Sequence, residues 1–296
     1  MFYNYFMKYI YVVNRFNLKD RTQDIIRSLE NASEKFNREY EIVINDTVEQ
    51  AKSISTKYKD TEYIITAIGG DGSINLLLND IVNTNNILSY IPIGTGNDFY
   101  RASIENLENG IHDVDLIRIN DRYCINVACF GIDADIANDD NFIHNNLIPE
   151  AMRYDAGVVY YFLTYKGRKL KIEVNDRTIE KDVTTVVVAN SNYYGGGYKV
   201  APNSIINDGQ MEVYIVDKLN KIKMASIILS MKDAGHLNNP ALEVINTDKL
   251  IISADKPFKA NIDGEALLSD RFEIELVPNR FRIELNKEFI KEVIKK

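Results

Sequence analysis

The sequence predicts an α/β domain followed by an all-β domain: a doubly wound parallel sheet in residues 1–118 and an antiparallel β-sandwich in residues 119–282. In the first part, short apolar runs alternate with amphipathic helical patterns, which is typical of parallel sheets. Beyond Asn120, short strand-like runs follow one another between turns, as in sandwiches. A chain of 296 residues, 45% hydrophobic and 26% charged, suits two globular domains.

The first domain is predicted to alternate strands with helices. The apolar runs that predict strands cover residues 7–13, 41–44, 63–68 and 90–93. A first helix covers 20–38, and a second opens at the capping box 47–50 with Val48, Ala51, Ile54 and Tyr58 inward. A third has Ser73 as its N-cap and buries Ile74, Leu77, Leu78 and Ile81. The C-terminal segment 283–296 is a candidate to pack back onto this domain.

The second domain is predicted to be built mainly of strands, with hairpin turns at 120–122, 175–177 and 278–280. A helix is predicted over 149–166, and Ile222, Ala225, Ile228 and Leu229 mark another. The predicted strands cover 113–119, 123–130, 170–174, 183–189, 211–216, 249–252, 258–262, 272–276 and 281–285.

Two glycine-rich turns follow the third and fourth strands of the first domain. They are Gly69-Gly70-Asp71-Gly72-Ser73 and Gly94-Thr95-Gly96-Asn97-Asp98. Glycine allows the backbone to approach a ligand closely, and a helix N-terminus after such a turn attracts phosphate. Either turn alone could be a tight structural connection. Two of them at the ends of neighbouring strands favour phosphate binding.

Charge and cysteine content exclude several classes of protein. The net charge of −8 argues against nonspecific nucleic-acid binding and disfavours bulk attraction to an anionic membrane. No run approaches the roughly twenty apolar residues of a membrane span, and no signal peptide is visible. Cys124 and Cys129 lie five residues apart in a strand-like run, which places them on opposite faces. We expect both to be reduced core residues of a cytoplasmic protein.

The motifs together resemble the catalytic domain of the diacylglycerol kinase and sphingosine kinase family, in particular its bacterial soluble lipid kinases. The resemblance covers nearly the whole chain in order. It rests on the stretches 69–75 (GGDGSIN), 92–99 (PIGTGNDF) with Arg101, 131–134 (GIDA), 194–202 (YGGGYKVAP), 208–209 (DG) and 263–265 (DGE). The GGDG element is shared with NAD kinases and phosphofructokinases, whereas the PxGTGNDF element with the later DGE is far more specific.

The resemblance implies transfer of the ATP γ-phosphoryl group to the hydroxyl of diacylglycerol or a related lipid alcohol, with Mg²⁺. Asp71 would hold Mg²⁺ or hydrogen-bond the nucleotide, unless it only closes its own turn. Asn97 and Asp98 would contact ATP, unless they cap the next helix. The residues implied to bind ATP are Asn45, Gly69, Gly70, Asp71, Gly72, Ser73, Ile74, Asn75, Thr95, Asn97 and Asp98.

Two later Asp-Gly elements carry the other implied roles. In the family, the element at Asp263-Gly264-Glu265 supplies the carboxylate that removes the hydroxyl proton, so Asp263 or Glu265 is the expected base; otherwise the element is a turn. Asp208, with the carbonyls of Ile205 and Gln210, is implied to form a structural Mg²⁺ site, the alternative being a hairpin turn. We expect transient contact with a membrane surface. The sequence leaves open whether the protein forms a homodimer.

Two departures from the family pattern leave other functions open. The first loop, Asn14-Arg15-Phe16-Asn17-Leu18, lacks the usual Pro and Gly, with Arg15 as a substitute charge clamp, and Leu76 replaces the usual Glu. One alternative is an NAD-kinase-like phosphotransferase acting on a soluble substrate, against which Phe99, Arg101 and the 263–265 element argue. The other is a non-catalytic binder of lipid or nucleotide.

Overall fold

The computed structural model describes residues 7–137, 164–231 and 234–295. The chain divides into two compact units, one formed by Met1–Val114 with Asn279–Lys296 and the other by Asp115–Pro278. The mixed α/β class is confirmed, while the domain limits set from the sequence stay a prediction. Most of the helix predicted over 149–166 lies outside the described residues.

The strands and helices in the described residues have the following bounds. The strands are β1 Tyr9–Asn14, β2 Tyr40–Asn45, β3 Ile64–Gly69, β4 Ile87–Pro92, β5 Gly110–Ile119, β6 Arg122–Cys124, β7 Val127–Gly131, β8 Arg168–Val174, β9 Arg177–Ala189, β10 Met211–Asp217, β11 Leu242–Thr247, β12 Lys249–Ile262 and β13 Glu265–Leu285. The helices are α1 Arg15–Leu18, α2 Thr22–Lys35, α3 Val48–Ala51, α4 Ile54–Tyr58, α5 Asp71–Ile81, α6 Asp98–Asn106, α7 Ile132–Ala137, α8 Lys221–Ser230 and α9 Lys287–Ile294.

In the first unit, β2, β1, β3 and β4 pair in that order, and all three pairings are parallel. The register places Asn14 opposite Asn45 and Gly69 opposite Pro92. The carboxyl ends of these strands therefore share one edge, which is where ligands bind in parallel sheets. Doubly wound packing of the helices stays a prediction.

The C-terminal end of the chain also lies in the first unit. The last part of β13 pairs in parallel with β4 through Ile283 and Leu88. On α9, Phe289 is buried and its ring lies 6.1 Å from that of Tyr11. Such aromatic packing fixes α9 against the first strand of this unit.

The second unit is antiparallel. Its strands pair in the order β11, β10, β9, β7, β12 and β13, and β8 pairs with both β9 and β12. Alternate residues of β7 belong to different apolar clusters: Val127 and Cys129 to one, Ala128 and Phe130 to the other. Because successive side chains of a strand point to opposite faces, both faces of β7 are buried.

Several local predictions are wrong for identifiable reasons. Ser73 is not an N-cap, because α5 begins at Asp71 after Gly70 and the Ser73 N–H donates to the Gly70 carbonyl at 2.9 Å. Val48, expected inward, is 40% exposed, although Thr47 caps α3 as predicted. The turn predicted at 278–280 is absent, because β13 continues through it from antiparallel pairing with β12 to parallel pairing with β4.

Candidate active site

The first glycine turn delivers the chain from β3 into α5. Gly70 is the N-cap of this helix, with an extended backbone and no side chain to cap it. The N–H groups of Asp71 and Gly72 precede the first intrahelical hydrogen bond and therefore have no acceptor within the helix. A Cβ atom on Gly69 would overlap the side chain of Ser73. The turn thus presents backbone donors that a phosphate could accept.

The second glycine turn lies directly against the first. A Cβ atom on Gly94 would lie 2.6 Å from the Cα of Gly70, which is closer than real atoms approach. Asn97 is the N-cap of α6 with φ +53°, but its side chain makes no cap and donates instead to the Gly94 carbonyl at 2.8 Å. Asn97 therefore closes its own turn, and the alternative in which its side chain caps the helix is wrong.

The cap of α6 comes from the other turn. The two carboxylate oxygens of Asp71 accept the backbone N–H groups of Asp98 and Phe99, each at 3.0 Å. Arg101, which the sequence suggested only as part of a motif, donates its Nε–H to the Gly96 carbonyl at 3.3 Å. Asp71 and Asp98, predicted separately as ATP-binding residues, are brought into direct contact.

The strand ends next to these turns carry polar side chains that contact each other. Asn45 is buried and donates its amide to Asn14 Oδ1 at 3.1 Å. Arg15, considered as a substitute clamp for phosphate, forms an ion pair with Asp46. Asn45 and the two glycine turns lie at the carboxyl ends of strands in the same parallel sheet. Thr95 is exposed in the second turn.

In the second unit, the Asp263 carboxylate is buried and fully engaged. Its oxygens accept the backbone N–H groups of Ile125, Asn126 and Val127 at 2.7, 3.1 and 3.0 Å, and the thiol of Cys124 at 3.2 Å. These bonds break the strand predicted over 123–130 into β6 and β7, because the donors turn towards Asp263 instead of a neighbouring strand. Burial raises the pKa of the Asp263 carboxyl to about 6, and the backbone donors partly oppose that shift.

Glu265 lies two residues further on, at the start of β13, in a different environment. Its side chain is 48% exposed and forms an ion pair with Arg122 at 3.3 Å. Between the two carboxylates, Gly264 has φ +92° and donates its N–H to the Asn261 side chain. The turn therefore holds one acidic group inside the protein and leaves the other accessible.

The predicted metal site at Asp208 lies in a loop that is tied to a buried acidic residue. Asp208 Oδ1 accepts the Gln210 N–H at 3.0 Å. Asp115, only 1% exposed, accepts the Gly209 N–H at 2.7 Å and donates its own N–H to the carbonyl of Ile206. Burial and then the charge of Asp115 raise the pKa of Asp208, which bound Mg²⁺ would offset.

The oxygen donors of this loop fit Mg²⁺, since Asp208 would act with the backbone carbonyls of Ile205 and Gln210. In the described residues, no three His, Cys, Asp or Glu side chains form a group that could hold a metal ion. Sequence reasoning missed Asp115, although a single carboxylate inside the apolar run Val114–Ile119 is a usable signal.

A cavity of about 530 Å³ also opens in the second unit, and it contains none of the predicted site residues. It is lined by residues of β8, β12 and β13, including Glu173, Lys249 and Glu275. Within the described residues, no helix is both long and apolar enough to cross a membrane.

Two models of known protein families match consecutive parts of this chain. Residues 8–124 match the family model described as the diacylglycerol kinase catalytic domain. Residues 126–284 match that of the YegS C-terminal NAD kinase beta sandwich-like domain. A diacylglycerol kinase of Bacillus subtilis (strain 168) is 24% identical over 267 residues, which cover 83% of this chain and 84% of that protein.

Two further relatives point the same way. A diacylglycerol kinase of Staphylococcus saprophyticus is 26% identical over 238 residues, 74% of each chain. The crystal structure of a diacylglycerol kinase from Bacillus anthracis str. Sterne superposes with a TM-score of 0.71 at 19% identity, over 95% of this chain and 98% of that one. At that identity, the superposition shows the fold.

These matches define the chain as a phosphotransferase of the lipid kinase class, with a sandwich-like C-terminal domain. It belongs to the diacylglycerol kinase catalytic-domain family, as the sequence motifs predicted.

Proposed function

We propose that this protein transfers the γ-phosphoryl group of ATP to the hydroxyl of diacylglycerol or a related lipid alcohol. The observation that carries this proposal is the environment of the 263–265 turn, where Asp263 is fixed and Glu265 is exposed. The names of the relatives support a glycerolipid acceptor.

The nucleotide is assigned to the first unit, which we take to be a doubly wound sheet that binds ligands at its strand ends. Within the stretch 69–75, the N–H groups of Asp71 and Gly72 at the start of α5 would hold the ATP phosphates, with the Thr95 hydroxyl from the second turn. Asn45, Asn97 and Asp98 would lie beside the bound nucleotide. These residues fit a polyphosphate, because glycine backbone lines the contact between the turns. Bound Mg²⁺ would supply charge neutralisation at the transferring phosphoryl group.

The base is assigned to Glu265, with Asp263 as the residue that positions it. A pKa near 6 would by itself suit Asp263 as a base at neutral pH. However, both Asp263 oxygens already accept hydrogen bonds, so proton removal there would cost bonds to buried donors. Glu265 gives up only an exposed ion pair.

Glu265 accepts the proton of the lipid hydroxyl, and that oxygen forms a bond to the γ-phosphorus while the bond to the ADP oxygen breaks. ADP leaves, and the products are the phosphorylated lipid and protonated Glu265, which returns its proton to solvent. Catalysis then depends mainly on positioning and on charge neutralisation.

A structural metal ion and contact with a membrane are also proposed, apart from the phosphoryl transfer itself. A Mg²⁺ ion held by Asp208 and the carbonyls of Ile205 and Gln210 would stabilise the loop that Asp115 fastens. A lipid substrate lies in a membrane, so a kinase that acts on it must contact the membrane surface. We propose that this protein is cytoplasmic and binds that surface transiently as a peripheral protein.

The test is phosphoryl transfer from γ-labelled ATP to a panel of acceptors. Diacylglycerol, sphingosine and a monoacylglycerol are presented in mixed micelles, and NAD is presented in solution. We expect labelled product from a glycerolipid and none from NAD. Labelled NADP with no lipid product would instead support the NAD-kinase-like alternative, and ATP binding without any product would support a non-catalytic role.

A further inference from the structure

We propose that Asp71 is a positioning residue that fastens the two glycine turns into one frame, rather than a ligand of magnesium. The inference rests on the proposed ATP site and assigns a role within it. It replaces the expectation that the Asp71 carboxylate holds Mg²⁺ or contacts the nucleotide.

The Asp71 carboxylate hydrogen-bonds to the backbone of the second turn. Oδ2 of Asp71 accepts the N–H of Asp98 and Oδ1 accepts the N–H of Phe99, both at 3.0 Å. The first N–H groups of α6 have no acceptor within their own helix, and a negative group there is stabilised by the helix dipole. Asn97 occupies the N-cap position but its amide is turned to the Gly94 carbonyl. Asp71 therefore supplies the cap of a helix that begins 27 residues later.

The two glycine turns pack closely around that carboxylate. The backbones of Gly70 and Gly94 are in contact, and a Cβ atom on Gly96 would lie 3.0 Å from Asp71 Oδ2. Each turn can approach the other only because glycine stands at the contact. With both oxygens bonded and the turns packed around it, Asp71 sets the spacing of the two sets of backbone donors.

This arrangement has a consequence for phosphate binding. Since a carboxylate already occupies the N-terminus of α6, a phosphate there would be repelled. The phosphates are then left to the N-terminus of α5 and to the second turn itself. Because Asp71 sets the spacing of these backbone donors, its loss should weaken nucleotide binding while leaving the requirement for magnesium unchanged.

The test is Asp71→Asn, which keeps the shape but removes the charge and one acceptor. We expect the ATP dissociation constant to rise about 10-fold, equivalent to about 1.4 kcal/mol. At saturating ATP, kcat should stay within about threefold of wild type, since the loss is one of binding. The Mg²⁺ concentration for half-maximal activity should not move. Deuterium exchange should accelerate at the Asp98 and Phe99 amides.

Asp80→Asn is the matched control. Asp80 belongs to the same helix, α5, and its carboxylate accepts both the N–H and the hydroxyl of Ser55 at 2.7 Å. This control changes an equivalent structural carboxylate at the other end of the helix. We expect its ATP and Mg²⁺ constants to match wild type.

The proposal would be overturned if Asp71→Asn raised the Mg²⁺ concentration for half-maximal activity 10-fold or more and left deuterium exchange at Asp98 and Phe99 unchanged. If that variant does not fold, Gly96→Ala provides the same comparison, because its methyl group crowds the carboxylate without removing it. A wild-type protein that binds no ATP would refute the proposed function, whereas the exchange measurement on Asp71→Asn would still decide whether the two turns are fastened.

Discussion

The two acidic residues of the 263–265 turn should respond to substitution in opposite ways. Glu265→Gln removes the proposed base, and the only contact it loses is an exposed ion pair with Arg122. The unfolding free energy should therefore change by only about 0–1 kcal/mol. Turnover should fall by about 10²–10⁴-fold, which corresponds to roughly 3–5 kcal/mol of barrier.

Asp263→Ala should behave in the reverse sense. It leaves three buried backbone N–H groups without their acceptor, each of which costs about 1–3 kcal/mol. Partial relaxation reduces that sum, and we expect a loss of about 3–5 kcal/mol in unfolding free energy. Any loss of activity in this variant should then result from a smaller folded fraction and from disorder of the backbone at 124–127.

The assay pairs urea unfolding with the labelled-ATP assay in lipid micelles, at a temperature where each variant is folded. Glu275→Gln is the matched control, because Glu275 lies on the same strand and pairs with Arg118 at a similar exposure, 47% against 48% for Glu265. The control should keep both stability and turnover.

One result would refute this reasoning. If folded Glu265→Gln retains near-wild-type turnover while Asp263→Asn loses turnover with unchanged stability, Asp263 is the base and its four hydrogen bonds are compatible with proton transfer. A fall in turnover of equal size in Glu275→Gln would show that the assay reports exposed carboxylates in general.

Three further predictions follow from other parts of the structure. Gly94→Ala should lower the unfolding free energy by about 1–3 kcal/mol through overlap with Gly70, while Gly72→Ala, which meets open space in a helix, should raise it by about 0.5–1 kcal/mol; urea unfolding measures both. Asp208→Ala should abolish the thermal protection given by added Mg²⁺, and equal protection of both proteins would contradict a site there. Because the pKa of Asp263 rises from 3.8 to about 6 on folding, the unfolding free energy of wild type should fall by about 2 kcal/mol relative to that of Asp263→Asn as pH increases from 4 to 6. A flat difference across that window would contradict the shift.

The parts of the fold that the sequence predicts well are those set by local pattern. The strands of the first unit follow from short apolar runs, and their observed bounds differ by a few residues from the predicted ones. Thr47 caps α3 as its capping signature indicates. The turn at Asn175-Asp176 is a tight hairpin in which both residues have positive φ, 48° and 58°, as these residue types tolerate. Each of these features is decided by neighbours in sequence.

The failures share a different cause, which is contact between distant segments. The strand predicted over 123–130 breaks because its amides bond to Asp263, more than a hundred residues away. The turn predicted at 278–280 is absent because β13 finds partners in β12 and β4 rather than in itself. Strand β11 was missed because Leu242–Thr247 alternates poorly, and only its pairing with β10 makes it a strand. Local propensity cannot register such partners.

The three Asp-Gly pairs of the predicted site show the same limit at the level of chemistry. In sequence, Asp71, Asp208 and Asp263 are each an acidic residue before glycine, and each is compatible with a turn as well as with a functional carboxylate. The fold separates them by what surrounds each carboxylate: the cap of a second helix for Asp71, a buried acidic neighbour for Asp208, and a ring of backbone donors for Asp263. Positively polarised N–H groups stabilise a fixed negative charge, whereas an acidic neighbour calls for a cation. On these grounds we propose that Asp71 and Asp263 organise backbone and that Asp208 is the one suited to a metal ion. Proton transfer is then assigned to Glu265, two residues after Asp263, whose side chain is exposed.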